Sequence, residues 1–270
     1  MKNFNIKRFW YTFRWYISEN RGNLIAWGLG LAVAFLLADL LSIWIVMQST
    51  NGLAVLSTTP QATSGFTIMI ALIALLIAYS SVFSTLKNKQ KRIAFLTLPA
   101  TNLERYLTAL AYVLIVWPLC IYLAFLLSDL LRMVVVALLG GGWHWQGNLL
   151  LPFRLNGITW NSVIQNLSEH SFVLWISSIY VLGGTLFRKR SFPIVTFALI
   201  ILAIVFIVVC VQVANHYEGS FTFKFDTLSN RRTLSIVISL VFIGFSLLNF
   251  NWSYRIFKRF QIITSNWFNI

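Results

Sequence analysis

Charge is what this chain has least of. Only 10% of its 270 residues are Asp, Glu, Lys or Arg, while 58% are hydrophobic. A soluble domain carries roughly 25% charged residues, so a surface this poor in charge is not sustained in water. A bilayer removes that need, because lipid solvates apolar side chains. Cysteine is nearly absent: Cys120 and Cys210 both lie inside apolar runs, which leaves a disulfide framework and a zinc site unsupported. Acids number seven against 21 bases, a net charge of +14. In a soluble protein that surplus points to nucleic acid. Here the bases cluster beside long apolar runs, as they do in the loops of membrane proteins, so no nucleic-acid partner is expected. Gly-x-x-x-x-Gly-Lys-Ser/Thr is missing, and Gly140–Gly142 lacks the lysine, so no nucleotide site is expected in this chain. The histidines His144, His170 and His216 fall outside the apolar runs, and Trp143-His144-Trp145 reads as an interfacial aromatic cluster. Paired carboxylates, a Ser–His pair and H-E-x-x-H are all lacking within the runs. No catalytic, cofactor or metal site is therefore expected, and the chain is not read as an enzyme.

What is present is a set of six apolar runs, near 24–47, 65–84, 106–128, 171–187, 191–213 and 233–250. Crossing a hydrocarbon core of about 30 Å takes roughly 20 helical residues. The first run is too long for a signal-peptide core and is expected to be retained. Sixteen of the 21 bases fall in four segments: Lys2–Arg21, Lys87–Arg105, Arg188–Arg190 and Arg255–Arg259. Six spans put all four on one side, which the positive-inside rule makes the cytoplasm. The expected fold is all-α: a polytopic helical membrane protein with six transmembrane helices and both termini cytoplasmic, in a bacterial inner membrane. Residues 1–22 are expected to form an amphipathic interfacial elbow helix, 23–250 the transmembrane domain and 251–270 a basic, aromatic cytoplasmic tail.

Particular residues refine this layout. Ile6, Phe9, Trp10, Phe13, Tyr16 and Ile17 fall within about 120° of helical arc, with Lys7, Arg14 and Ser18 opposite. Such a helix suits the headgroup layer. Residues 129–139 are expected to extend the third span above the membrane or to lie at the interface, with Asp129 and Arg132 paired on one helix face. Asp39 is the one acid well inside a span, and intramembrane acids are costly. Two readings stay open for it: a pathway or helix-packing role, or a wetted position toward the outer end, near Ser42. Pro118, Gly183 and Gly184 read as kinks or close helix contacts.

The stretch 85–107 is the most informative. Thr101-Asn102-Leu103-Glu104 matches the capping box, and Pro99 disfavours helix in the residue before it. A helix is therefore predicted to start at Thr101 and to lead toward span three. Ile93, Phe95, Leu96 and Leu98 form an apolar ridge inside a basic loop, which calls for a partner surface of lipid or protein.

The run from Phe83 to Leu107 resembles the ABC-2-type permease subunits common in Bacteroidetes-like bacteria. Those carry a similar basic stretch, then Leu-Pro-Ala-Ser/Thr and a downstream Glu-Lys/Arg-aromatic; here these are Leu98-Pro99-Ala100-Thr101 and Glu104-Arg105-Tyr106. The resemblance implies a permease of an ATP-driven transporter, an exporter that works as a dimer with a second permease copy or paralogue. ATP and Mg would be bound by a separate ABC-type ATPase subunit. It further implies a coupling segment drawn from Arg92, Phe95, Leu96, Leu98, Thr101, Asn102, Glu104 and Arg105, with a second contact at Arg188, Lys189 and Arg190. The polar stretch 214–232 departs from the family, which often has re-entrant helices there. The alternative is a non-transporting assembly or sensor subunit that holds a cytoplasmic partner by the same loop.

Overall fold

The computed structural model describes residues 4–49, 60–83, 89–138, 160–187, 190–216 and 228–259. Each of the six apolar runs has its main part on a helix, and among the described residues every regular element is helical. This is what a bilayer demands, since each backbone N–H and C=O must be satisfied within its own segment. The helices are α1 (Ile6–Ser49), α2 (Pro60–Ser80), α3 (Lys89–Thr97), α4 (Asn102–Ala111), a π-helical turn (Tyr112–Val116), α5 (Trp117–Leu138), α6 (Trp160–Leu186), α7 (Ser191–His216) and α8 (Leu228–Lys258). Among the described residues four stretches are long and apolar enough to cross a membrane: Ile6–Ile45, Asn102–Leu138, Ser191–Val213 and Thr233–Lys258. The chain is thus a helical membrane protein. Its residues group into two compact units, 1–78 with 94–154, and 79–93 with 155–270.

In the first unit, α1 has no proline to interrupt it and runs for 44 residues, about 66 Å. No break separates residues 6–22 from the first apolar run, so the stretch expected as an elbow and the span share one helix. α4, the π turn and α5 likewise form one rod from Asn102 to Leu138. The π turn has a cause in the sequence. Pro118 has no N–H to return to the preceding turn, and the ladder adjusts ahead of it, with the Trp117 N–H donating to the Tyr112 carbonyl. The rod lies parallel to α1 along its length. Arg8 meets Glu104, Tyr16 meets Tyr112, Trp27 meets Trp117, Phe35 meets Phe125 and Ile43 meets Val136. Ala71 and Ala74 of α2 close the apolar middle against Leu31, Ala32, Phe35, Ile121, Ala124 and Phe125. Small side chains of this kind allow the close approach on which helix packing in lipid depends.

In the second unit α6 and α8 are also parallel. Phe172 and Trp175 pack on Phe242, and Asn249 donates to the Ser178 hydroxyl 71 residues earlier at 2.9 Å. α7 turns back along the end of α6, where Tyr180 stacks on Phe192 and its hydroxyl lies 3.0 Å from that of Thr196. Gly183 and Gly184, read as kinks or close helix contacts, are close-contact positions. A Cβ on Gly183 would strike Val195, and one on Gly184 would lie 2.5 Å from the Ser80 carbonyl oxygen. Beyond this hairpin α7 is apolar and exposed on every side from Ile201 to Val213, a condition met by lipid rather than water.

Three boundaries differ from expectation. α8 continues through Lys258, so 251–258 extends the last helix instead of opening a separate tail; Arg255 and Lys258 in its last turn complement the helix dipole. α6 begins at Trp160, ahead of the apolar run at 171–187, and α7 reaches His216 while α8 opens at Leu228, so helix enters the polar stretch 214–232 from both sides. Arg188, Lys189, His144 and the tail beyond Arg259 lie outside the described residues.

Candidate functional site

The segment singled out in the sequence is built as its capping chemistry requires. α3 ends at Thr97, ahead of Pro99, and α4 starts after an extended Thr101. The Thr101 hydroxyl accepts from the Glu104 N–H at 3.2 Å, and Glu104 Oε2 accepts from the Thr101 N–H at 2.8 Å. The turn between the helices is strapped by Arg105, whose guanidinium donates to the Leu98 carbonyl at 2.5 Å and to Asn102 Oδ1 at 3.3 Å.

The second oxygen of Glu104 reaches across to α1. Oε1 accepts from the Asn5 backbone N–H at 2.7 Å and from Arg8 through Nε at 3.3 Å and Nη2 at 2.9 Å. A fully buried carboxylate is tolerable only with such a complement of donors, and Glu104 is 0% exposed. One side chain therefore caps α4 and pins the start of α1. The capping half was legible from Thr101-x-x-Glu104. The Arg8 half was not, because no local spacing links positions 96 residues apart.

The apolar ridge is divided. Phe95 is 0% exposed and packs on the rings of Trp15 and Tyr16. This corrects its expected place as a contact: a side chain already enclosed by its own protein supports the segment and offers a partner nothing. The same holds for Glu104. The outward positions are Ile93, Ala94, Thr97, Pro99, Asn102 and Leu103, with Leu96, Leu98, Thr101 and Arg105 half-buried. In the second unit, Arg92 is buried and Arg190 is exposed, with a left-handed backbone at φ 55°.

A second polar group lies at the opposite end of the α1–α5 pair. Arg132 and Asp129 form the predicted i,i+3 pair at 2.8 Å, and both are buried. Asp39 of α1, 0% exposed, comes within electrostatic reach of both, beside Ser128. Of its two readings, the wetted outer position is overturned by this burial, while helix packing is consistent with it. Neither Asp39 oxygen meets a hydrogen-bond partner, nor does Asp129 Oδ2 or Ser128 Oγ. The cluster thus holds two carboxylates around one guanidinium, incompletely satisfied. Among the described residues no group of His, Cys, Asp and Glu is arranged to hold a metal ion. No family model matches the chain, and neither a curated protein nor a solved structure does.

Proposed function

We propose that this chain is the membrane-spanning permease subunit of an ATP-driven ABC-type exporter in a bacterial inner membrane, coupled through the 85–107 segment to a separate ATPase subunit that binds ATP and Mg. In this reading α2 and α6 also cross the bilayer, which makes six spans with both termini in the cytoplasm, and a second permease copy or paralogue completes the pore. The observation that carries it is the double role of Glu104. The capped start of α4 is locked to α1 and continues as one rod to Leu138, about 55 Å in length. A push delivered at Thr97–Leu103 therefore moves both long helices together, including their far ends with Asp39, Asp129 and Arg132. Intramembrane acids of that kind mark pathways by default.

The docking surface in this reading is Thr97, Pro99, Asn102 and Leu103, with Phe95 and Glu104 holding it in place from within. Introducing two charges there, Thr97→Arg with Leu103→Arg, should weaken co-purification of the ATPase about tenfold or more, the equivalent of about 1.4 kcal/mol. Insertion and the size-exclusion profile should stay normal, and substrate-stimulated ATP hydrolysis should fall in parallel. Unchanged co-purification would remove the segment from coupling. If no ATPase binds the wild type, the transporter reading fails, and a subunit that docks a non-ATPase partner takes its place.

A further inference from the structure

The parallel packing of α6 and α8 brings the C-terminal ends of both helices together, and a cleft of about 430 Å³ opens between them. Its walls are Leu182, Leu186 and Ile256; Trp252, Arg255 and Arg259 complete the lining. Trp252 is 54% exposed, the amphipathic ring placement found where a membrane meets water. Both arginines are exposed. The one carboxylate among the described residues of this unit is Glu169, which precedes Leu182 on α6 by about 20 Å of helix. The helix ends oppose the arginines only with fractional negative charge. A cavity with apolar walls and, at its mouth, two guanidinium groups with no carboxylate near them among the described residues of this unit matches one class of ligand, which has a phosphate at one end and hydrocarbon at the other.

We propose that this cleft binds an anionic phospholipid, with Arg255 and Arg259 on the phosphate and the acyl chains along Leu182, Leu186 and Ile256. The inference is independent of the transporter reading and needs only that the chain sits in a membrane. Arginine forks match phosphate oxygens in pairs, and basic pockets between membrane helices are suited to acidic headgroups. A zwitterionic lipid offers the same phosphate, but its ammonium group is repelled by the arginine pair, so the site discriminates by charge. Lys258 is an internal comparison: it carries the same charge on the same turn of α8 but lies over the Tyr254 ring, 4.6 Å from its centroid, and is not part of the lining.

The test is native mass spectrometry of the full-length protein in mild detergent, titrated with equal amounts of phosphatidylglycerol and phosphatidylcholine. The wild type should retain phosphatidylglycerol preferentially. Arg255→Gln with Arg259→Gln should reduce that preference about tenfold or more, while Lys258→Gln should change it by less than about twofold. Leu186→Trp, which leaves the charge intact and fills the apolar wall, should also lose the lipid. Millimolar inorganic phosphate should not displace it, since a free anion leaves the walls empty. Equal retention of both lipids by the wild type would overturn the proposal. So would an equal loss with Lys258→Gln, which would mean diffuse attraction, or displacement by phosphate, which would mean an anion site without lipid.

Discussion

Two buried acids in the first unit show how burial and partnership decide what a charged side chain does. Glu104 is fully complemented by Thr101, Asn5 and Arg8. Asp39 lies within electrostatic reach of Arg132 and Asp129, and neither of its oxygens meets hydrogen-bond geometry. The difference yields an asymmetric expectation. Arg132→Leu strands two carboxylates away from water and should destabilise by about 3–5 kcal/mol, the cost of breaking a buried pair from one side. Asp39→Leu strands nothing, because Arg132 keeps Asp129, and should change stability by no more than about 1 kcal/mol. Thermal unfolding of the two variants in mild detergent orders them. Were Asp39→Leu the more damaging, Asp39 would be the true partner of Arg132, and Asp129 the spare.

Helix packing here rests on small residues at defined contacts. Gly184 sits where a Cβ would meet backbone, the Ser80 carbonyl oxygen at 2.5 Å and its carbon at 3.0 Å, and backbone does not yield as a side-chain tip does. Gly184→Ala should therefore cost about 1–3 kcal/mol by overpacking. Gly244 on α8 faces open space, with nothing within 4 Å of a built Cβ. Gly244→Ala should be neutral or gain up to about 1 kcal/mol from helix propensity. The same unfolding measurement separates the two. Equal effects would mean that α6 does not approach Ser80 so closely. The π turn ahead of Pro118 belongs to the same class of feature: a proline expected as a kink is absorbed by one widened turn, and the rod continues to Leu138.

For the molecule as a whole, orientation is the property that function requires first. Parallel pairing of α1 with the Asn102–Leu138 rod puts Arg8 at the same end as Arg105 within the first unit. Parallel pairing of α6 with α8 puts the start of α7, next to Arg190, at the same end as Arg255 and Arg259 within the second. Each unit thus brings the described members of its basic segments to one end, while Arg132 of the first unit and Arg231 and Arg232 of the second lie at the other; a cytoplasmic placement of all four basic segments requires the first of these. Reporter fusions after Arg190 and Lys258 should accordingly read cytoplasmic, and fusions near Asn51, Asn161 and Ser220 external. An external signal at Arg190 would break the six-span arrangement.

Composition and run length were enough to establish a helical membrane protein, because 58% hydrophobic and 10% charged residues leave lipid as the only adequate solvent. Local spacing was enough for the cap at Thr101 and for the Asp129–Arg132 pair, since each depends on positions within one turn of helix. Spacing could not say which face of the 93–98 ridge turns inward. Phe95 is enclosed because Trp15 and Tyr16 of another helix happen to lie beside it, and a ridge reads the same whether its partner is foreign or its own. Nor could it join Glu104 to Arg8, Asp39 to Arg132, or Leu182 to Arg259. Those juxtapositions arise from which helices run parallel and in what register, and only the packed structure settles that, because every apolar stripe in such a chain is compatible with many neighbours.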